Sequence, residues 1–330
     1  MKEEKTNNLD VLLVEKILEN IPNNIKPVEY LMEILDMSRN AVYRRLRYEK
    51  SFTFHEVMRL SSAMGFSLDD IALVQEGRSG QNLFPKHVTK MTAEDSITSL
   101  FEHFTMLLKN FVDTNSSQFI ITANRLHFLS INDEEPLFRF LYYQLMYQLR
   151  EIPVNCTLSQ IKIPESVHIL SKEFHKLFIS ISHKEYLIDS NLYLNIVKDI
   201  QYFYQRKLIS EDELLSIKED LHTAIVHTQA YMQMGVNDLP LKKSKFYLSG
   251  MEVTSNTVYS IYEGNEESDF WLYSANPIHT TNKRICHLHK VWIDSLMRSS
   301  TLISGVNENV LFEYIAKQLS FVDNMDKIMY

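Results

Sequence analysis

Two short helical patterns, separated by three residues, lie near the start of the chain. Apolar residues recur at helical spacing within residues 27–35, which predicts an amphipathic helix. Pro27 suits the first turn of that helix, where its missing N–H leaves no hydrogen bond unmade. The pattern breaks at Asp36, and Ser38 then offers a hydroxyl cap to a second helix. This stretch is therefore predicted to be a helix, a tight turn and a second helix.

The second helix carries basic residues on one side. Val42 and Leu46 are four positions apart and should face inward. The outward positions are Arg39, Asn40, Tyr43, Arg44 and Arg47. Residues 39–50 contain five basic residues and one acid, a local charge of +4, although the whole chain carries −8. A local cation cluster on an acidic protein indicates a dedicated polyanion-binding face, and a short exposed helix suits the major groove of DNA.

Cap signals continue beyond this stretch. Thr53 and Glu56 form a capping box, flanked by a hydrophobic staple of Phe52 and Val57. A helix is predicted over about 54–64, ending at Gly65. A similar signal follows at Ser67–Asp70, and residues 9–21 show another helical pattern. Residues 1–75 are therefore expected to form a compact all-helical DNA-binding domain.

The segments LMEILDMSRNAVYRRLR and TFHEVMRLSSAMGFSLDDI make residues 9–75 resemble the phage-repressor-like (XRE-type) helix-turn-helix domains. The resemblance implies a five-helix, lambda-repressor-like fold, often dimeric, with the helix after Ser38 in the major groove. Carried over by position, the base-edge candidates are Arg39, Asn40, Tyr43 and Arg44. The phosphate-contact candidates are Ser38, Arg47 and Lys50. The sequence departs from the family at three positions. Met32 stands where the family usually has a small residue, and Asp36 stands where it usually has glycine. Arg45 occupies a position that is often aromatic.

Composition narrows the class of protein. A chain of 330 residues is long enough for two or three domains, and 45 % hydrophobic with 23 % charged residues is typical of a soluble globular protein. The start, MKEEKTNNLD, lacks the apolar segment of a signal peptide, and no run reaches the roughly 18 apolar residues of a membrane span. Cys156 and Cys286 suggest no disulfide framework, so a cytoplasmic location is expected.

The scarcity of glycine argues against nucleotide chemistry. The chain has 7 glycines, and none belongs to a phosphate-cradling loop or to the nucleophile turn of a serine hydrolase. No nucleophile, base and acid stand at a spacing that suggests catalysis. The expectation is a protein that is not an enzyme and has no cofactor.

Residues 76–91 combine Gly, Ser, Gln, Asn and Pro without periodicity and are predicted to be a linker. Residues 92–330 are then expected to be a regulatory and dimerisation domain, helical over 92–240 and α+β over 241–330. The predicted fold class is α+β, mainly α, with a small antiparallel sheet. Its main strands are expected at 246–253, 257–262 and 270–275, and one strand within 119–131. Helices are predicted at 136–152, 164–182, 191–207, 210–234, 283–298, 307–326 and over about two dozen residues from Thr92.

Two features of this larger domain allow alternatives. The helix over 210–234 has about three heptads of apolar positions, so it is either a packed helix or a dimerising coiled coil, and the packed helix is preferred. Cys286, His287, His289 and His279 are metal-ligand residue types, but only one tight pair exists and residues 287 and 289 diverge on a helix. No metal site is therefore expected. A second set, His168, His175 and His183, could form one helical stripe that titrates near neutral pH.

The leading interpretation is a sequence-specific DNA-binding transcriptional regulator. Its partners would be double-stranded DNA, a second copy of the chain, and a small-molecule or protein effector. An alternative is a protein-interaction adaptor whose helix-turn-helix segment docks a protein, and acids such as Glu29 and Glu33 near the motif leave room for it. A third hypothesis makes the larger domain an enzyme regulated by the smaller one.

Overall fold

The computed structural model describes residues 8–22, 25–66, 68, 92–111, 117–131, 136–181, 184–234, 244–273 and 275–327. The chain divides into two compact units, Met1–Asn82 and Leu83–Tyr330, called here the N-terminal and C-terminal units. The division falls within the predicted linker 76–91. That linker and most of the predicted cap signal at Ser67–Asp70 lie outside the described residues.

Four helices make up the described part of the N-terminal unit. They are α1 (Asn8–Glu19), α2 (Pro27–Leu35), α3 (Arg39–Leu46) and α4 (Phe54–Met64). Their apolar faces meet in one small core, because each helix presents an apolar stripe that must be removed from water. The buried core residues are Leu13, Ile17, Leu31, Leu35, Val42, Leu60 and Phe66.

Local start and stop signals set these helix ends where the sequence predicts them. Pro27 opens α2, and the Ser38 hydroxyl accepts a hydrogen bond from the Ala41 N–H at 3.4 Å. Thr53 and Glu56 form the reciprocal capping box of α4, and both staple residues pack against the core. Gly65 ends α4 with φ of 73°, a left-handed conformation that costs glycine little. The predicted helix, turn and helix are confirmed.

Asp36 occupies the turn between α2 and α3 with φ 53° and ψ 52°. Its backbone N–H donates to the carbonyl of Met32, which closes the last turn of α2. A glycine would suit this left-handed conformation better, since a side chain there is strained. Aspartate is among the few residues that adopt it at moderate cost.

The C-terminal unit contains seven helices and seven strands in its described part. The helices are α5 (Ala93–Lys109), α6 (Pro136–Gln148), α7 (Glu165–Ser180), α8 (Leu192–Gln205), α9 (Glu211–Met234), α10 (Lys283–Arg298) and α11 (Glu308–Asp323). The strands are β1 (Gln118–Ala123), β2 (Lys184–Ile188), β3 (Ser244–Leu248), β4 (Thr257–Tyr262), β5 (Asn265–Tyr273), β6 (Asn276–Thr280) and β7 (Thr301–Leu302).

All seven strands belong to one mixed sheet, ordered β6-β5-β4-β1-β2-β3-β7. The three strands β1, β2 and β3 run parallel, and the remaining pairs are antiparallel. Parallel neighbours need long crossovers, and helices α6 to α9 supply them. The antiparallel pair β4 and β5 needs only a tight turn, formed by Glu263 and Gly264 at positive φ.

The predicted fold class is therefore wrong. The strands predicted to form one small antiparallel sheet, β3, β4 and β5, belong to a seven-stranded mixed sheet in which β1 and β2 separate β3 from β4. β1 overlaps the strand predicted within 119–131, whereas β2 lies where no strand was predicted. A five-helix lambda-repressor-like domain is not shown either. Four helices are described between residues 8 and 64, and the segment expected to add a fifth lies largely outside the described residues.

The two faces of the sheet are covered by different helices. On β1, Ile120 points to the face that carries Cys286 and Ile293 of α10, whereas Phe119 and Ile121 point to the main core beneath α5 to α9. Burial on both faces removes the alternation of polar and apolar residues that marks a half-exposed strand. Helix α9 buries its predicted apolar stripe in this main core, so the preferred reading as a packed helix is confirmed.

None of the described helices combines the length and the apolar character needed to span a bilayer.

Replacing Asp36 with glycine is expected to stabilise the N-terminal unit by about 0.5–1 kcal/mol. The reason is that a left-handed residue with a side chain costs roughly 1–2 kcal/mol, partly offset by the greater unfolded-state freedom of glycine. Asp36→Val is expected to destabilise the same unit, because a β-branched residue tolerates positive φ poorly. Hydrogen exchange of the α2 and α3 backbone amides in the full-length protein measures both changes. Faster exchange in the glycine variant than in the valine variant would contradict this account of the turn.

Candidate nucleic-acid interface

The outward face of α3 carries the residues predicted to contact DNA. One turn of an α-helix has 3.6 residues, so the five outward positions 39, 40, 43, 44 and 47 span an arc of about 140° around its axis. All seven predicted site residues are exposed: Ser38, Arg39, Asn40, Tyr43, Arg44, Arg47 and Lys50. The structure thus brings them together on one surface, called here the α3 face.

The charged side chains of the α3 face have only loose acidic neighbours. An Nη atom of Arg39 lies 3.6 Å from a carboxylate oxygen of Glu29, and Nε of Arg44 lies 3.8 Å from one of Glu49. All four side chains are at least half exposed, and such pairs contribute about 0–1 kcal/mol. An incoming phosphate or base edge can therefore displace them at small cost.

The remaining members of the face are held by local contacts. The Arg47 guanidinium lies over the ring of Tyr43, 5.4 Å from its centroid, which orients both side chains outward. The backbone N–H of Lys50 donates to the carbonyl of Arg44 at 3.1 Å, so the segment after α3 folds back along it. The Ser38 hydroxyl caps the N-terminus of α3. Ser38 is exposed at that helix end, where anions are favoured.

Arg45 is the exception among the five basic residues counted in the sequence. Only 6 % of its surface is exposed, and it faces the core instead of solvent. Its Nε and Nη2 atoms donate to the two carboxylate oxygens of Glu56 at 2.8 and 2.6 Å. A third bond runs to the Ala41 carbonyl at 3.1 Å. The predicted cation cluster thus loses one member, and the local charge of residues 39–50 on the surface falls from +4 to +3.

Glu56 joins this ion pair to the capping box of α4. One of its oxygens accepts from the Thr53 backbone N–H at 2.9 Å while also accepting from Arg45. Burial by itself raises the pKa of Glu56, but the hydrogen bonds from Arg45 and Thr53 hold it below its ordinary value. The carboxylate therefore stays charged at neutral pH. Helix α3 is fixed in rotation about its own axis, because Arg45 must point at the start of α4.

Helix α4 also presents apolar side chains to solvent. Phe54 is 76 % exposed, and Met58, one turn later on the same side, is 46 % exposed. Met58 also borders a shallow depression shared with Ile34 of α2. Large exposed apolar side chains grouped in this way are typical of surfaces that contact another protein.

The histidine and cysteine motif in the C-terminal unit does not converge on a metal site. Cys286 is buried with Sγ against two backbone carbonyls, and burial raises the pKa of its thiol. His289 is buried between the hydroxyls of Thr257 and Ser268, at 2.8 and 2.9 Å, and burial lowers its pKa to about 4. His287 is exposed and points elsewhere, as its helical spacing predicts.

A different set of residues brings three potential metal ligands together. One oxygen of Asp269, on β5, lies 2.9 Å from Nε2 of His103, on α5, and 3.1 Å from Nδ1 of His279, on β6. The donor atoms of all three lie within 4.8 Å of one another, and the second Asp269 oxygen is buried without a hydrogen-bond partner. Burial opposes the charges, but the two histidines lower the pKa of Asp269, and Asp269 raises that of His279.

Sequence reasoning missed this group because 166 residues separate His103 from Asp269. Asp269 and His279 are cross-strand partners in the β5–β6 pair, so a correct strand assignment would have placed these two together. Hydrogen bonded as it is, the group ties α5 to the edge of the sheet. With its three donors it also has the chemistry to hold a divalent cation.

The other histidine pattern is only partly a stripe. His175 is half-buried and hydrogen bonded to Ser171, and His168 is half-buried on the same helix. His183 lies outside the described residues.

Compared with known proteins, the chain matches no protein-family model, no curated protein and no solved structure. The resemblance to the XRE-type domains therefore rests on the residues of α2 to α4 alone.

Arg45→Met is expected to destabilise the N-terminal unit by about 3–5 kcal/mol, because it leaves the Glu56 carboxylate buried without its main partner. The double variant Arg45→Met, Glu56→Leu removes both charges and is expected to recover most of that loss. Chemical unfolding of the full-length protein, with hydrogen exchange in α3 and α4 as the readout, measures both changes in stability. Equal stability of the single and double variants would show that the pair does not position α3.

The same pair predicts a dependence of stability on pH. Because the folded-state pKa of Glu56 lies below its ordinary value of 4.5, its contribution is present above that pH. The contribution is then lost as the pH falls through the lowered pKa. Protection of the α3 and α4 amides, corrected for the pH dependence of intrinsic exchange, is expected to fall in acid more steeply in the wild type than in the double variant. Identical pH profiles for the two proteins would refute the prediction.

Proposed function

We propose that this chain is a sequence-specific DNA-binding regulator of transcription whose α3 enters the major groove. The observation that carries the proposal is the α3 face: four exposed cations and two polar readers, on or just after a helix rotationally fixed by a buried ion pair. A helix so fixed presents the same side chains to every duplex, which sequence discrimination needs. General electrostatic attraction to DNA would not require the helix to be fixed in one rotation.

Each member of the face has a chemical role in this proposal. Arg39 and Arg44 can pair their guanidinium forks with the O6 and N7 atoms of guanine, and Asn40 can pair with adenine. Tyr43 contacts base edges beside them. Ser38, Arg47 and Lys50 bind phosphates, which position the helix and supply most of the salt-dependent affinity. Each good base contact discriminates by roughly 1–3 kcal/mol.

The C-terminal unit completes the regulator in this proposal. It holds two copies of the chain together, so that operator half-sites lie about one helical turn, roughly 34 Å, apart. It also receives the effector, and it performs no catalysis. The proposed location is the cytoplasm, where transcriptional regulators without membrane spans meet DNA.

Selection from random DNA duplexes by the full-length protein, at a stated salt concentration, tests the proposal. An enriched motif with two-fold symmetry is expected. Arg44→Ala is expected to relax the base preference at one position, at a cost of about 1–3 kcal/mol for the preferred duplex. Lys50→Ala is expected to weaken binding to all duplexes alike and to lower the salt slope by about one.

Lys176→Ala is the matched control, because it removes the same charge from an exposed site on α7 in the C-terminal unit. It should leave both affinity and base preference unchanged. Selection that enriches no motif in the wild-type protein would reject the proposal. Equal losses in the Lys50 and Lys176 variants would reduce the interaction to general electrostatic attraction.

A second candidate function is an adaptor whose N-terminal unit docks a protein. The observation in its favour is the pair of exposed apolar side chains on α4, Phe54 and Met58. Salt separates the two candidates, since DNA affinity falls steeply as salt rises, whereas an apolar contact is largely insensitive. Phe54→Ser should abolish an adaptor interaction and leave duplex binding by a single N-terminal unit intact.

A further inference from the structure

Three potential metal ligands meet on one face of the sheet in the C-terminal unit. In the sheet register, Asp269 of β5 lies beside Val258 of β4, and Val258 lies beside Ile121 of β1. Cross-strand partners point to the same face, so Asp269 faces the main core beneath α5 to α9. His279 is the partner of Asp269 on β6, and His103 reaches the same carboxylate from α5. Three separate elements thus deliver one side chain each to a single point.

The donor atoms of these side chains are spaced almost as a metal ion requires. Nε2 of His103 and Nδ1 of His279 lie 2.9 and 3.1 Å from the same oxygen, Oδ1 of Asp269. Zinc binds nitrogen and oxygen at about 2.0–2.2 Å, so neighbouring donors of a tetrahedral site lie about 3.4 Å apart. The two nitrogens therefore have to move away from that oxygen by roughly a few tenths of an ångström to admit an ion.

The second oxygen of Asp269 is not explained by hydrogen bonding within the group. Among the residues that the structure describes, Oδ2 is buried without a hydrogen-bond partner, and the Asp269 side chain is 0 % exposed. A carboxylate oxygen that is buried without a partner costs free energy. A cation between the ring nitrogens would offset this cost, because the carboxylate can present both oxygens to it. Asp269 would then supply two donors and each histidine one.

The group is closed to bulk water on nearly all sides. The side chains of His103 and His279 are 7 and 10 % exposed. A cavity of about 530 Å³ lies on the same face of the sheet, with Lys184 and other residues of β1 and β2 as its floor and α7 and α9 above it. Phe104 lines that cavity and packs edge-on against the His103 ring, but the three candidate ligands are not among its described lining. A closed set of protein donors is typical of structural metal sites, whereas catalytic sites keep one position open.

We infer that His103, Asp269 and His279 bind one divalent transition-metal ion, for which Zn²⁺ is the best fit, in a structural site. Two imidazole nitrogens favour zinc and its neighbours over Mg²⁺ and Ca²⁺, which prefer oxygen donors. The ion replaces the two hydrogen bonds to Oδ1. Each ring nitrogen gives up its proton, to the other nitrogen of the ring or to solvent, and offers its lone pair to the metal. The ion then ties α5 to β5 and β6 at the edge of the sheet.

Titration of the full-length protein with Co²⁺, after treatment with a chelator and in the absence of DNA, tests the site. Cobalt commonly substitutes for zinc, and its visible absorption is much stronger in four-coordinate than in six-coordinate sites. One Co²⁺ per chain is expected to bind with a four-coordinate spectrum, and Zn²⁺ is expected to displace it where Mg²⁺ does not. A six-coordinate spectrum, no binding, or displacement by Mg²⁺ would overturn the inference.

Two variants locate the ion. Asp269→Asn keeps the shape of the side chain but removes its charge and one donor oxygen, and His279→Gln removes a ring nitrogen. Each is expected to weaken Co²⁺ binding by at least the roughly 10–100-fold that loss of an outer-shell contact costs. His287→Gln is the matched control, because His287 is exposed on α10 and outside the group. Unchanged binding in the Asp269 variant, or equal losses in the His279 and His287 variants, would assign the ion to another place.

Two measurements on the wild-type protein guard against a variant that fails to fold. With ¹⁵N-labelled histidine, Zn²⁺ is expected to bind one Nε2 and one Nδ1, because His103 and His279 face the site with different nitrogens. At Zn²⁺ about ten times its dissociation constant, hydrogen exchange in α5, β5 and β6 is expected to slow about tenfold, while α3 and α4 stay unchanged. Coordination by two Nε2 atoms, or unchanged exchange in all five elements, would contradict the inference.

Discussion

The buried contact between Arg45 and Glu56 is the interaction on which the N-terminal unit depends. Removing two charges from water is costly, and the cost is offset here by two short charge-assisted hydrogen bonds and by bonds to backbone groups at both ends of the pair. Apolar contacts at Val42 alone would tolerate a small rotation of α3. A guanidinium that must meet a carboxylate in a fork geometry does not, so the outward positions of α3 keep one orientation relative to α4.

The two units place charged side chains differently. In the N-terminal unit, cations are concentrated on the outside of α3 although the chain as a whole is acidic. In the C-terminal unit, charged groups are drawn inside, at Lys184 on the cavity floor and at Asp269 between two histidines. Exposed cations suit a large, hydrated polyanion. Electrostatic interactions of the buried groups are stronger, because the dielectric around them is low.

The mixed sheet explains how the C-terminal unit can hold a cavity at all. Its central strands are covered on both faces, so α10 can complete a packed core on one face while the other face remains partly open beneath α7 and α9. The two connections between parallel strands each pass through two helices, which places long helices over that second face. Aromatic side chains on strands and helices then line the space.

Helix ends in both units were predictable, because the signals that set them act within one turn of the chain. Pro27, the capping box at Thr53, Gly65 and the helix start at Thr92 all act where the sequence places them. Helix α5 then buries most of its apolar side chains in the main core. Strand β2 was not predictable in this way, since it is short and buried in part on both faces, and no alternation marks it.

The surface of α3 was predictable nearly in full, and the one error is informative. Helical periodicity placed five basic and polar side chains outside, but it could not show that Arg45 forms an ion pair with a carboxylate eleven residues later. By itself the sequence determined which segments are helices and which residues they expose, because these depend on neighbours a few positions apart. Only the tertiary structure decided the mixed sheet, the cavity above it, and the meeting of His103 with Asp269. These features join residues far apart in the chain, and no local pattern records which distant partners will pack together.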